Sequence, residues 1–315
     1  WTDSGADVVP GTTYEYRVQV TDGFNSNFAN STWTPITVAG GAATPPYVAA
    51  VFASEPDTLL RLNEAPGATV AADLAGWRPA PLAPSSSGVT FGEAGPSGID
   101  GTAASFNGAT GNFVRSEVHE LPPHEMSLEA WFRAAPAANG GLIAGFNSSI
   151  TSGSGAGSGN SQDRTLYMDT TGRVHFGVNP TTPVTVSDGV DYRDDTWHHV
   201  VGTVGPSGLS IYVDGVLADT DPTILWARTG YYGYLRIGGG ALNGFPNTDT
   251  STGRWFDGAI DEVALYKSTL TASEAEAHYE ATGRTANIGN VAPTASFTTS
   301  MNPGETYRSR ASTTV

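Results

Sequence analysis

The chain contains no cysteine, which excludes disulfide bridges, thiolate metal sites and thiol nucleophiles. Basic residues are scarce: 15 lysines and arginines stand against 31 aspartates and glutamates, and Lys267 is the single lysine. With a formal net charge of −16, the chain offers no basic surface for nucleic-acid phosphates or for an anionic membrane. No apolar run approaches the roughly 20 residues that cross a bilayer. We therefore predict neither a nucleic-acid partner nor membrane insertion.

Turn formers and strand formers are abundant instead. Glycine and proline number 39 and 20 in 315 residues, which predicts an all-β protein with many turns. The length suggests two or three domains. The Gly/Ala/Pro-rich residues 40–46 and the residues 285–291 are predicted linkers between domains.

The stretch from Phe256 to Tyr266 predicts a strand followed by a short helix. Side chains alternate along a strand, so Asp261 is expected to face the core together with Val263 and needs a partner there. Thr271 and Glu274 form the sequence signature of a capping box, which predicts the start of a helix. Gly283 is its expected C′ residue.

Several motifs occur in the order and spacing of laminin G-like (LamG) domains from large secreted bacterial proteins. They are Asp261-Glu262-Val263, Leu270-Thr271 with Glu274, His278-Tyr279, Trp197 to Val201, Leu209 to Gly215, Ser127 to Trp131, Arg61 to Glu64, and Asp73. Residues 47–284 thus resemble a LamG domain. The resemblance implies a concanavalin A-like antiparallel β-sandwich, or jelly roll, with one short C-terminal helix. It also implies that His198 and His199 are packing residues.

Both flanks resemble parts of other extracellular β-sandwiches. Alternating apolar residues from Tyr14 to Val20 predict a strand, and residues 33–38 predict its returning partner. Residues 1–39 resemble the C-terminal part of a fibronectin type III domain, and residues 292–315 resemble the start of a PKD domain. This organisation predicts further domains of one large parent protein, exported to the bacterial surface or secreted.

Catalytic signatures of the jelly-roll enzymes are not found in the sequence. β-Glucanases carry Glu-x-Asp-x-x-Glu on one strand, but here Glu55 and Asp57 are followed by Leu60 where the second glutamate should stand. His119 and His124 are spaced one residue too far apart for a zinc-protease helix, and two intervening prolines forbid that helix. We therefore predict that the chain is not an enzyme.

The resemblance to LamG domains implies a structural calcium ion. Asp261 and Asp73 occupy the matching positions, Glu64 is the runner-up ligand, and Ca²⁺ prefers six to eight such oxygen ligands. The alternative is that Asp261 caps a loop through hydrogen bonds or pairs with an arginine such as Arg61.

An aromatic-rich segment in the C-terminal half of the chain, residues 226–255, is the candidate ligand site. Flat rings beside amide groups suit sugars, because the rings stack on the apolar face while the polar groups bind hydroxyls. The candidates expected to be exposed are Trp226, Tyr231, Tyr232 and Phe245, with Asn247 as a polar partner. The alternative is that the aromatic residues of this region, such as Tyr234 and Trp255, belong to the core.

These features favour a non-catalytic module that binds or adheres to a glycan or cell-surface polymer, with a structural calcium. Two alternatives stay open. The chain could be an accessory module of a secreted polysaccharide hydrolase whose catalytic domain lies elsewhere, or a structural spacer without a ligand.

Overall fold

The computed structural model describes residues 45–76, 80–81, 87–148, 161–228, 230–248 and 254–287, and the backbone of four short strands before them. Those strands are β1 (Thr13–Tyr16), β2 (Gln19–Val20), β3 (Ala29–Asn30) and β4 (Thr34–Thr37). β1 pairs with β4 and β2 with β3, both antiparallel. The first part of the predicted strand, in β1, therefore pairs with the predicted returning segment in β4, whereas Gln19–Val20 pairs with β3 instead. The fibronectin assignment stays a prediction, and the PKD-like segment lies outside the described residues.

Two antiparallel sheets form the sandwich. The six-stranded sheet contains, in spatial order, β10 (Val114–Arg115), β19 (Tyr234–Ile237), β12 (Gly141–Asn147), β13 (Gln162–Met168), β14 (Val174–Val178) and β15 (Val184–Val186). The eight-stranded sheet contains β18 (Val216–Asp221), β17 (Gly208–Val213), β16 (His198–Gly205), β11 (Met126–Arg133), β20 (Asp257–Tyr266), β9 (Thr102–Asn107) and β8 (Val89–Ala94), with β5 (Thr58–Leu60) also paired to β20. β6 (Val70–Ala71) and β7 (Ala80–Pro81) form a separate ribbon. The predicted all-β jelly roll is confirmed.

The main core lies between the two sheets. Inward side chains of the six-stranded sheet include Phe146, Leu166 and Phe176, and those of the eight-stranded sheet include Leu128 and Phe132, all fully buried. Strands buried on one face alternate inward and outward residues, so this packing also defines the outer face of each sheet.

Two helices cover the outer face of the eight-stranded sheet. They are α1 (Pro46–Ala53) and α2 (Ala272–Glu280), and they bury Tyr47, Trp131 and Tyr266 in a second apolar cluster. α1 was not predicted, because two consecutive prolines indicated a linker. Pro46 is tolerated because it stands in the first turn, where a missing N–H breaks no hydrogen bond.

α2 begins as predicted and ends one residue earlier than predicted. The Thr271 hydroxyl accepts a hydrogen bond from the Glu274 amide, and the Glu274 carboxylate accepts one from the Thr271 amide, so the capping box is confirmed. The C-cap is Ala281, which makes Thr282 the C′ residue, and Gly283 follows it with φ 82°. The two-residue turn Asp214-Gly215 joins β17 to β18, and both residues have positive φ (51° and 79°), as a type I′ turn requires.

The predicted alternation along β20 is wrong in its first half because of a β-bulge. Ala264 pairs with Glu129 and Asp261 pairs with Trp131, so two residues of β20 stand opposite the single residue Ala130. Glu262, inside the bulge, has φ 50°. The extra residue shifts the phase by one. Asp261 therefore faces the same side as Trp131, the side of the helices, and not the core side of Val263.

Candidate functional site

One long connection carries two exposed aromatic residues, Trp226 and Tyr232. It runs from β18 in one sheet to β19 in the other, over residues 222–233. Ala227 and Tyr231 of this segment are buried in the main core. The connection is therefore fixed from inside at two points, and the residues beside those points project outward.

A buried ion pair holds the connection in place. Asp163 and Arg164 of β13 are fully buried, and the Asp163 carboxylate accepts the backbone N–H of Arg228. The Arg164 guanidinium donates to the carbonyl oxygens of Arg228 (2.9 Å) and Pro123 (2.7 Å). Burial raises the pKa of Asp163, although Arg164 and three backbone N–H groups oppose the rise. Burial likewise lowers the pKa of Arg164 against the attraction of Asp163.

Next to these anchors, two rings are open to solvent. Trp226 is 49% exposed and Tyr232 is 54% exposed. Tyr232 is part of a ring cluster: His119 lies 5.6 Å from it between ring centroids. His119 also stacks on Tyr234, at 4.5 Å and an interplanar angle of 13°. No ring contact joins Trp226 to this cluster among the described residues.

Backbone pairing explains why His119 meets the two tyrosines. Glu120 and Gly233 exchange both backbone hydrogen bonds (3.0 and 2.8 Å), which lays residues 116–120 beside the start of β19. Arg115 of β10 lies with its guanidinium carbon 5.2 Å above the Tyr234 ring. We call Arg115, His119, Tyr232 and Tyr234 the aromatic strip. It lies on the outer face of the six-stranded sheet, at its β10 edge.

The other predicted ligand residues do not join the strip. Tyr231 is 8% exposed, packed in the main core. Phe245 is 4% exposed and packs with Leu142 and Tyr167. Asn247 is exposed, but its carbonyl oxygen accepts the Thr170 N–H at 3.1 Å, so it anchors its own loop. The expectation that Tyr231 and Phe245 are exposed is wrong.

The sequence analysis missed His119, Tyr234 and Arg115 as members of the strip. Tyr234 was grouped with the core aromatics, yet it is only partly buried because it faces outward on an edge-proximal strand. The signal available in the sequence was the alternation in Tyr234-Leu235-Arg236-Ile237, where the apolar residues face one side and the polar ones the other. No local signal indicates that His119 reaches this face.

The three predicted calcium ligands have different environments. Asp73 accepts backbone N–H groups of Leu59, Ala75 and Gly76 through one oxygen, at 2.9–3.0 Å, and so caps a turn. Asp261 is 2% exposed and accepts the Glu262 N–H. Over the part of the chain that the structure describes, no group of at least three His, Asp or Glu side chains is arranged to hold a metal.

A cluster of carboxylates nevertheless surrounds Asp261. Burial, then Glu262 and Glu64, raise the pKa of Asp261 well above its usual value. The alternative hypothesis paired Asp261 with Arg61. In the structure, Arg61 instead forms ion pairs with Glu262 (2.7 Å) and Asp100 (3.0 Å). One oxygen of Glu64 and one of Glu262 are buried without a hydrogen-bond partner.

A second buried carboxylate ties the helices to the sheet. Glu129 of β11 accepts hydrogen bonds from the hydroxyls of Tyr47 and Tyr266 and from ring nitrogens of His199 and His278, at 2.6–3.0 Å. Burial alone would raise the pKa of Glu129, but the two histidines hold it well below its usual value. His199 is fully buried, in line with the packing role implied for it. Because the network is closed to solvent, it is structural.

No helix within the described ranges is long and apolar enough to cross a membrane. No curated protein sequence matches the chain significantly. Among solved structures, a Trypanosoma rangeli sialidase in complex with sialic acid matches with 17% identity and a TM-score of 0.46, over 70% of this chain and 32% of that chain. This chain therefore spans about a third of the sialidase's length.

Two further structures are similar at the same level. Domain 4 of AbnA, a GH43 extracellular arabinanase from Geobacillus stearothermophilus in complex with arabinotriose, has 16% identity and a TM-score of 0.45, over 65% of this chain and 90% of that chain. The binding domain of Paraclostridial Mosquitocidal Protein 1 has 11% identity and a TM-score of 0.49, over 71% and 51%. Likenesses at these identities and scores carry no information about a ligand.

The family comparison is more direct. A laminin G-type family model, described as the concanavalin A-like lectin/glucanases superfamily, matches residues 107–276. The match covers more than half of the chain and includes both strands of the aromatic strip, the bulged strand β20 and most of α2. The chain belongs to the concanavalin A-like lectin/glucanases superfamily.

Proposed function

We propose that the chain is a non-catalytic glycan-binding module and that the aromatic strip is its binding surface. The observation that carries the proposal is the exposed Tyr232 ring beside the stacked pair of His119 and Tyr234. Sugar rings present apolar C–H faces, which stack on aromatic faces, and their hydroxyls need polar groups at the rim. Membership of a superfamily of lectins and glucanases supports a carbohydrate rather than a peptide or lipid as the ligand.

The strip is suited to binding because its backbone is anchored by hydrogen bonds and by a buried neighbour. His119 is positioned by the backbone pairing of Glu120 with Gly233, and Tyr232 follows the buried Tyr231 directly. A surface whose side chains are already ordered loses less conformational entropy on binding. Trp226 lies on the same connection and is a second exposed ring for a longer polymer.

The test is affinity electrophoresis or calorimetry of the full chain against a panel of soluble polysaccharides. Burying one aromatic side chain contributes about 1.5–3 kcal/mol, so Tyr232→Ala is expected to weaken binding by roughly tenfold or more. His119→Ala should weaken it as well. Leu217→Ala is the matched control, because Leu217 is 46% exposed on β18 in the other sheet. Equal affinities of wild type and Tyr232→Ala would refute the strip as the binding surface.

A non-catalytic role has its own test. Incubation of the full chain with the bound polysaccharide should release no reducing sugar. Sustained release that one Asp or Glu substitution abolishes would show an enzyme.

We further propose that the module is exported and serves a larger bacterial protein, in adhesion or as an accessory domain of a hydrolase. Absence of binding to any glycan would favour the spacer alternative.

We retain calcium as a proposed structural ion, with Glu64 and Asp261 as its carboxylate ligands. The buried Glu64 oxygen without a partner fits a cation, and Glu64 is among the groups that raise the pKa of Asp261. Asp73 fits less well, because one of its oxygens already caps a turn. Calcium takes six to eight oxygens, so backbone carbonyls and water would complete the shell.

Thermal unfolding with and without calcium tests this proposal. At about ten times the dissociation constant, calcium adds roughly 1.4 kcal/mol of stability, which raises Tm by about 3–6 °C for a domain of this size. Asp261→Asn should abolish the difference between calcium and chelator. Identical melting curves of the wild type with calcium and with chelator would refute the site.

A further inference from the structure

Two arginines face each other at the edge of the six-stranded sheet. Arg115 in β10 is paired in register with Arg236 in β19. Like charges directly opposite each other destabilise a sheet. Burial, together with the nearby Arg115, lowers the pKa of Arg236 to about 9. Two positive side chains are therefore neighbours here, in a protein whose formal net charge is −16.

Arg115 keeps most of its hydrogen-bonding capacity. Its guanidinium donates one hydrogen bond, to the Ser116 carbonyl oxygen at 3.1 Å, out of the five N–H groups that an arginine offers. Within the described ranges no carboxylate forms an ion pair with Arg115, although Glu117 is only two residues away in sequence. The remaining donors of this partly exposed side chain are available to an anion.

The arginine also adjoins the ring surface. Its guanidinium carbon lies 5.2 Å from the centre of the Tyr234 ring, and His119 stacks on the same ring at 4.5 Å. Tyr232 continues the ring surface on the far side of His119. A ligand that stacks on these rings thus has a cation at the rim of its binding surface.

We propose that the aromatic strip takes an acidic sugar, one that carries a carboxylate or a sulfate, and that Arg115 binds the anionic group. This inference rests on the proposed glycan-binding function and deepens it. The planar guanidinium matches a carboxylate with two parallel hydrogen bonds, and it also binds sulfate oxygens. Because the rest of the protein repels polyanions, binding of an acidic polymer requires a local cationic site of this kind.

The experiment compares polymers that differ only in charge. The full chain is titrated with polygalacturonate and with its fully methyl-esterified form, and separately with dextran sulfate and with dextran. The first pair tests a carboxylate and the second a sulfate. We expect the chain to bind one of the acidic polymers at least tenfold more tightly than its neutral counterpart.

Variants locate the anion site. Arg115→Gln should weaken binding of the acidic polymer about tenfold, the loss expected for one charge-assisted contact, and should weaken binding of the neutral polymer by a smaller factor. Arg115→Lys keeps the charge but not the forked geometry, so it should restore part of the loss. Arg173→Gln is the control, because Arg173 is exposed just before β14, away from the β10 edge. Melting curves of all variants verify that they fold.

The outcomes are separable. Equal binding within both pairs, the free acid and its ester as well as dextran sulfate and dextran, would overturn the acidic-sugar inference and leave the glycan-binding function standing. A charge preference that Arg115→Gln leaves intact would overturn the role of Arg115. Failure to bind any of these polymers, together with failure on the wider glycan panel, would overturn the proposed function itself.

Discussion

Loss of the Glu129 carboxylate should strongly destabilise the sandwich. Its two carboxylate oxygens accept four hydrogen bonds, and the donors belong to α1, α2, β16 and β20. Glu129→Gln keeps the shape of the side chain but replaces one of these oxygens by an NH₂ group. That oxygen serves one tyrosine and one histidine, so two buried donors would lose their acceptor.

The expected loss is large because the site is dry. Breaking a buried charge pair costs about 3–5 kcal/mol. For a domain of 150–250 residues this corresponds to a fall in Tm of roughly 6–20 °C. Burial opposes protonation of His278, but Glu129 raises its pKa above the usual value, so the variant should also lower that pKa.

Urea unfolding and calorimetry measure the effect, with two comparisons. Tyr266→Phe removes one donor and keeps the carboxylate, so about 1.5–3 kcal/mol is expected. Glu93→Gln removes a surface partner of Arg133, in a pair 2.7 Å long with Glu93 38% exposed, and should cost less than about 1 kcal/mol. A loss below about 1 kcal/mol for Glu129→Gln would refute the view that this network holds the helices to the sheet.

Three further predictions concern the backbone, the bulge and the aromatic connection. Gly98→Ala would place a Cβ 1.8 Å from the Thr282 carbonyl oxygen and should disrupt the packing of this loop against the end of α2. Gly67→Ala is the control, because Gly67 has almost the same φ but open space around it, and it should cost about 1 kcal/mol. Chemical denaturation compares the stabilities of the two variants. Burial raises the pKa of Glu262 to about 7 although Arg61 opposes the rise, so the folded state holds its proton more strongly than the unfolded state. Stability should therefore fall as pH rises between 4.5 and 7; an unchanged slope in Glu262→Gln would contradict this. Asp163→Asn should loosen residues 222–233, seen as faster hydrogen exchange of the Arg228 amide while the β16 amides stay protected.

Local rules sufficed for part of the fold. The capping box of α2 needs only neighbouring residues and is found where the sequence placed it; the Asp214-Gly215 turn is equally local, because it depends on the positive φ of two adjacent residues. The jelly roll followed from motifs spread over many strands. The cap and the turn are predictable because their hydrogen-bond partners are adjacent in sequence. The jelly roll is predictable because its motifs recur in many strands, so an error in one strand does not change the predicted fold.

The remaining features depend on contacts between distant segments. α1 forms because Tyr47 buries its ring against Trp131. This tertiary packing stabilises the helix, and it cannot be predicted from the helix propensities of a segment that begins with two prolines. The bulge at Glu262 is set by pairing with β11, so period-two counting placed Asp261 on the wrong face. Tyr231 and Tyr232 are neighbours with opposite exposure, since an irregular segment has no period from which burial can be read.

The chain reaches and leaves the sandwich at neighbouring points. Tyr47, at the start of α1, and Arg284, after α2, both lie against the Trp131 side chain, with the Tyr47 ring centre at 6.2 Å and the Arg284 guanidinium carbon at 4.7 Å. In a longer polypeptide the sandwich would therefore project sideways from the chain. It would add little to the distance between the segments on either side of it. Tension between the two flanking segments would pull the two helices apart before it stretched either sheet. The aromatic strip, which lies on the other sheet, would then keep its structure while mechanical force acts on the protein.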